Sequence, residues 1–165
     1  MIIHSLYDPL TNENDIGLVK VTEPFDFVNT KGLINAACLP PPSLEPEMYI
    51  RGDLTVAGFG SAMESGEATD HLIAVNVPMI DLISCRSMYG SDQPLRNMIC
   101  AGSSSAESSL SCSGESGGPL IGRDVDNRAI VLGVSSFGYG CPTTGFPAVY
   151  TDVRKFIDWI VTKAT

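Results

Sequence analysis

Four prolines fall within seven residues, Pro40, Pro41, Pro42 and Pro46, in the stretch Leu39-Pro40-Pro41-Pro42-Ser43-Leu44-Glu45-Pro46. Proline has no N–H to donate and a fixed φ, so this stretch can be neither helix interior nor central strand. It reads as a stiff connector over 39–48 that separates residues 1–38 from 49–151. Before it, Ile-Gly-Leu-Val-Lys-Val at 16–21 reads as a short strand. Beyond it, apolar β-type segments recur at 54–59, 72–80, 129–137 and 146–151, separated by turns such as Gly102-Ser103-Ser104-Ser105. Short strands spaced in this way imply a sandwich or a barrel. The period then changes. Val153, Phe156, Ile157, Ile160 and Val161 fall on one face of a helix over about 152–163, with Trp159 read as core rather than ligand-binding.

Composition narrows the class. Gly 16 and Pro 11 make up about one residue in six, as suits a turn-rich β chain. Hydrophobics at 44% against 18% charged residues are enough to pack a core. With Lys+Arg 10 against Asp+Glu 19, the net charge of −9 excludes the basic footprint of a nucleic-acid binder. No polybasic run addresses an anionic membrane, and no apolar run approaches the roughly 18–20 residues of a spanning helix. The opening Met1-Ile2-Ile3-His4-Ser5-Leu6-Tyr7-Asp8-Pro9 lacks the basic and apolar regions of a secretory signal. Five cysteines nevertheless suit an oxidising compartment, and an odd number leaves at least one unpaired within the chain. Either the thiols are cytosolic and free, or the true N-terminus lies upstream. No pattern of residues implies a metal or an organic cofactor.

The stretch richest in chemistry is Cys112-Ser113-Gly114-Glu115-Ser116-Gly117-Gly118-Pro119-Leu120. A serine among glycines is either a flexible turn or a nucleophile in a tight loop, where small neighbours let backbone N–H groups converge on an oxyanion. The residues alone leave both readings open.

This stretch resembles the G-D-S-G-G-P nucleophile motif of chymotrypsin-like serine proteases, with Glu115 at the aspartate position. Other matches follow in family order. Asn14-Asp15-Ile16-Gly17-Leu18-Val19-Lys20 resembles N-D-I-x-L-[LIV]-K, and Asn97-Met98-Ile99-Cys100-Ala101-Gly102 resembles M-[IFL]-C-A-G. Ser135-Ser136-Phe137-Gly138-Tyr139-Gly140-Cys141 resembles S-W-G-x-G-C, and Pro147-Ala148-Val149-Tyr150-Thr151-Asp152-Val153 resembles P-G-V-Y-T-x-V. The resemblance runs from about residue 2 to the end. It implies an all-β chymotrypsin-like double six-stranded β-barrel with the first barrel incomplete, plus a C-terminal helix. Residues 1–38 would be the remnant of the first barrel, 49–151 the second barrel and 152–165 the helix.

The family is the standard example of the Ser-His-Asp triad, and the roles follow from the resemblance. Ser116 would be the nucleophile of a serine endopeptidase, and the Gly114 and Ser116 N–H groups its oxyanion hole. Asp15 would orient the histidine, although Asn-Asp before a strand is by itself a common turn. The chain holds only His4 and His71, neither in the family's A-A-H-C context, and both read as surface residues. Two-barrel proteases run to roughly 200–250 residues. The expectation is therefore a C-terminal portion with the histidine upstream. Without that base the cost is roughly 10⁶ in kcat, so the chain alone should be inactive. Residues 1–30 should also be poorly stable without a partner segment.

The resemblance pairs Cys85 with Cys100 and Cys112 with Cys141. It places Cys38 where relatives tether a light chain or propeptide; a buried free thiol is the alternative. A further family bridge is absent as a pair, with Leu54 and Gly122 at its two positions. Glu115 would extend by one methylene the carboxylate that binds the N-terminus freed by activation. Leu110 stands at the pocket floor, where a carboxylate would select Lys or Arg. Ser111, Ser113, Ser136, Phe137, Gly138 and Ala148 would line the rest, favouring a medium apolar side chain at the cleaved bond. Expected partners are protein or peptide substrates, the upstream segment and protein inhibitors, and the expected location is extracellular. The competing reading is a non-catalytic homologue acting as a binding or regulatory module.

Overall fold

The computed structural model describes residues 1–59, 70–90, 96–102, 116–138 and 146–164. Two elements precede the connector: β1 (Ile2–Ile3) pairs antiparallel with β2 (Gly17–Leu18). After it come β3 (Leu54–Gly58), β4 (Ile73–Val77), β5 (Met79–Ile80), α1 (Leu82–Tyr89), β6 (Met98–Ala101), β7 (Pro119–Arg123), β8 (Ala129–Phe137), β9 (Ala148–Asp152) and α2 (Ile157–Ala164).

The second group forms one antiparallel sheet in the order β4-β3-β7-β8-β9-β6-β5. Its edge strands β4 and β5 are consecutive in the chain and separated only by Pro78. Proline cannot donate to a ladder. The strand expected over 72–80 thus breaks there, its first half pairing with β3 and its second with β6. The Gly102 N–H caps the bend by donating to the Pro78 carbonyl at 3.0 Å. The sheet of seven strands curls into a half-barrel, consistent with the chymotrypsin-like fold, and α2 follows it.

Alternation along the strands builds the interior. Leu54 and Val56 of β3 are buried while Thr55 and Ala57 are half-buried between them. With Leu120, Ile130, Leu132 and Tyr150 they form the main core. Fully burying such side chains contributes about 1.5–3 kcal/mol each. Two glycines are required by close approach. A Cβ on Gly122 would lie 2.7 Å from Ile50 Cδ1 and 2.9 Å from Leu132 Cδ1, and one on Gly133 would lie 2.8 Å from Tyr150 Cβ. At Leu54 and Gly122, where the resemblance would place a bridge, apolar packing fills the space.

α1 was not legible as a helix from apolar periodicity. Its start is set by Asp81, whose side chain accepts the Ser84 N–H, and its end by Gly90 at φ +85°. At the C-terminus the expected helix begins as a 3-10 turn, Val153–Phe156, and becomes α-helical only from Ile157. Val153, Phe156 and Ile160 are buried as expected, but Val161 is exposed, so the apolar face is narrower.

The connector is fastened just before its start and near its end. Cys38 bridges to Ile130 in parallel, its N–H donating to the Ala129 carbonyl at 2.8 Å. Pro46 starts a 3-10 turn, Pro46–Met48. The buried Arg154 guanidinium donates to Asp152 (Nη2 to Oδ2, 2.7 Å), the Leu44 carbonyl (2.9 Å) and Glu45 Oε2 (2.6 Å). This hydrogen bond and charge hold the Glu45 carboxyl below its ordinary range.

Candidate active site

Asp15 sits at the centre of a tight turn. Asn14 is in the left-handed region (φ +57°), and the Ile16 N–H returns to the Asn14 carbonyl at 2.8 Å. Ile16 then anchors the turn, buried with Val153, Phe156 and Ile160. One Asp15 carboxylate oxygen, Oδ2, accepts the Ser136 hydroxyl at 2.7 Å. The direction of that hydroxyl comes from a register shift between β8 and β9. Ser135 faces Tyr150 and Phe137 faces Val149, leaving Ser136 as the extra residue. A bulge of this kind re-aims a side chain that regular pleating would send elsewhere.

The residue before it holds the backbone that follows Ser116. Gly117 N–H donates to the Ser135 carbonyl at 2.8 Å, and Ser135 N–H donates to the Gly118 carbonyl at 2.9 Å. Ser116, immediately before these contacts, is exposed, and Gly117 has φ +83° with nothing near its missing Cβ. Adjacent residues of β8 therefore hold the backbone after Ser116 and the Asp15 carboxylate. The spacing of motifs did not foretell this hydrogen-bonding role of Ser136, which the sequence placed among pocket residues.

Of the residues expected to line a pocket, Gly138 is exposed. A Cβ there would make ordinary contact with Ala148 Cα (3.7 Å) and Tyr89 Oη (3.8 Å), so no clash demands glycine. Phe137 is half-buried and packs edge-on against Tyr89 at 5.8 Å. Tyr89, which sequence reasoning missed, also stacks edge-on with Phe146 and donates its hydroxyl to the Pro147 carbonyl at 2.6 Å. Its signal was only an aromatic four residues after a cysteine. Cys85 and Cys100 form a disulfide that ties α1 to β6. Cys38 is an exposed free thiol rather than a buried one. Leu110, Ser111, Cys112, Ser113, Gly114, Glu115 and Cys141 lie outside the described residues.

The two histidines stand apart in character. His4 is half-buried rather than on the open surface: its ring lies 5.3 Å from Phe156 and 5.0 Å from Trp159, and its Nδ1 accepts the Leu6 N–H. His71 is exposed in the turn before β4. Among the described residues no group of His, Cys, Asp and Glu could hold a metal ion, and no helix is long and apolar enough to cross a membrane.

The trypsin family model matches residues 1–160. Trypsin-1 of Astacus astacus is 36% identical over 165 residues, covering 99% of this chain and 65% of its own length. Trypsin eta of Drosophila melanogaster is 35% identical over 167 residues, covering 100% of this chain and 59% of its own. Phenoloxidase-activating factor 3 of Holotrichia diomphalia is 36% identical over 151 residues, covering 89% and 41%. The chain thus spans less than two thirds of the length of each. With a family match over nearly all of its length, and a curled β-sheet that brings Asp15 and the Ser116 loop to adjacent residues of one strand, the chain belongs to the trypsin family of chymotrypsin-like serine proteases.

Proposed function

We propose that the chain is the nucleophile-bearing part of a secreted serine endopeptidase. Ser116 Oγ attacks the scissile carbonyl while a histidine takes its proton. The Gly114 and Ser116 N–H groups stabilise the oxyanion, and the amine leaves with the proton returned by the histidine. Water then hydrolyses the acyl-enzyme. Asp15 holds the imidazole and supports its positive charge. The observation that carries this reading is the neighbouring pair on β8, Ser135 binding the residues after Ser116 and Ser136 binding the Asp15 carboxylate. The histidine comes from a segment outside residues 1–165, because His4 is engaged with Phe156 and Trp159 and His71 sits before β4. That segment covers the exposed apolar residues Val19, Phe25, Val28 and Leu33, and the exposed Cys38 thiol tethers it. By itself the 165-residue chain is inactive.

Leu110, aligned by the resemblance with the pocket floor, the open Gly138 wall and the Ala148 methyl favour Leu, Met or Phe before the cleaved bond. The test is fluorophosphonate labelling of the protein from its natural source, with intact mass before and after reduction. Expected are a label on Ser116, a second segment released by reduction, and peptide cleavage after Leu in preference to Arg. Ser116 unlabelled in the complete protein overturns the enzyme reading, and efficient cleavage after Arg overturns the specificity. One feature favours a second reading, a non-catalytic binding or regulatory module: Glu115 replaces the family's aspartate beside the nucleophile. An unlabelled Ser116 would support that module.

A further inference from the structure

Asp15 is held at two points, from two different strands. Its carboxylate accepts the Ser136 hydroxyl from β8, and its backbone carbonyl accepts the Thr151 hydroxyl from β9 at 2.7 Å. Thr151 is 1% exposed, and its backbone is already paired across to Met98 and to Val134. A hydroxyl buried so completely costs free energy unless it is hydrogen-bonded, and a valine would occupy the same β-branched volume in this strand without that demand. The Ile16–Asn14 hydrogen bond closes a three-residue ring that leaves the Asp15 carbonyl outside it. The Thr151 hydroxyl is what ties that carbonyl to the barrel.

Resting on the reading of Asp15 as the triad carboxylate, we propose that Thr151 is a positioning residue that sets the direction of the Asp15 side chain by pinning its backbone carbonyl to β9. With Ile16 buried at the end of the turn, the contact at the carboxylate leaves the Asp15–Ile16 peptide as the remaining pivot. The second contact, on the opposite end of the residue, removes that pivot. Displacements of about 1 Å near reacting groups cost about 10²-fold in rate, so an anchor acting only through Asp15 is sufficient to govern turnover.

The test compares Thr151→Val and Thr151→Ser in the 165-residue chain, following the side-chain carboxyl ¹³C resonance of Asp15 at pH 7, with Ser136→Ala as the reference for a released carboxylate. The expected result is that T151V moves the resonance toward that of S136A while T151S keeps it at the wild-type position. An unmoved resonance in folded T151V overturns the proposal. If T151V does not fold, Thr151→Ala is read in its place, with the same shift expected and an unmoved resonance again overturning the anchor. In the complete protein, T151V should lower kcat about 10–100-fold with KM changed by less than about twofold, and T151S should restore it. Unchanged kcat in T151V overturns the proposal. A complete protein with no activity overturns the enzymatic reading alone, since the resonance comparison reports on the anchor without catalysis.

Discussion

Residues 1–38 and 49–164 use comparably apolar sequence to opposite effect. In the second region alternation feeds seven paired strands, and Leu54, Leu120, Leu132 and Val149 are buried to 2% exposure or less. In the first, the strands are two residues long, and Val28 and Leu33 remain 88% and 89% exposed. What separates them is closure. The sheet from β3 to β9 returns on itself at Pro78, so each inward side chain meets another. The N-terminal strip has one buried apolar residue, Ile16, and a small set of hydrogen bonds to β8 and β9. Apolarity becomes stability only where a second surface covers it. The strip is therefore a part that delivers Asp15 to the barrel rather than a folding unit of its own.

The largest expected effect lies at the joint between connector and barrel. Arg154→Met leaves Asp152 buried without its guanidinium, and breaking a buried pair in this way costs about 3–5 kcal/mol. Urea unfolding with the Cys85–Cys100 bond intact measures it. A loss below about 1 kcal/mol would mean that water reaches Asp152 and the joint is not a dry clamp. Next comes a matched pair of truncations. Leu132→Ala should cost about 2–5 kcal/mol, while Leu33→Ala should lie within about 0.5 kcal/mol of wild type. Equal losses would erase the distinction between the regions. In the presence of the proposed upstream segment, Leu33→Ala should become costly, which would sharpen it.

The smallest effect is in acid. The Arg128 backbone N–H, more than any other group, holds the Asp124 carboxyl below its usual range, and the Arg154 guanidinium does the same for Glu45. A carboxyl with a depressed folded-state pKa stabilises the fold above its unfolded value of about 4 and loses that contribution as pH falls through the lowered range. The urea midpoint should thus be flat near neutrality and decline below about pH 4. Asp124→Asn should make the decline shallower. Identical acid limbs in the two proteins would show that the β7–β8 turn does not participate.

Strands at 54–59, 129–137 and 146–151 were legible because they alternate or run apolar between clear turns, and the observed β3, β8 and β9 fall within two residues of those bounds. β6 and β7 were not read as strands, since Met98–Ala101 is buried at every position and Pro119–Arg123 carries Pro and Gly. α1 was missed because its evidence is in its caps, Asp81 and Gly90, rather than in a stripe. The order of motifs placed Asp15 and Ser116 in one family pattern, and the chain's own residues made the Pro-rich connector and the C-terminal helix readable. These are local properties of backbone freedom and side-chain period. The direction of the Ser136 hydroxyl, the Thr151 contact and the Arg154 clamp were decided only by the folded chain. They join residues 121, 136 and 110 positions apart, through a bulge and through strand pairings whose register no local pattern encodes.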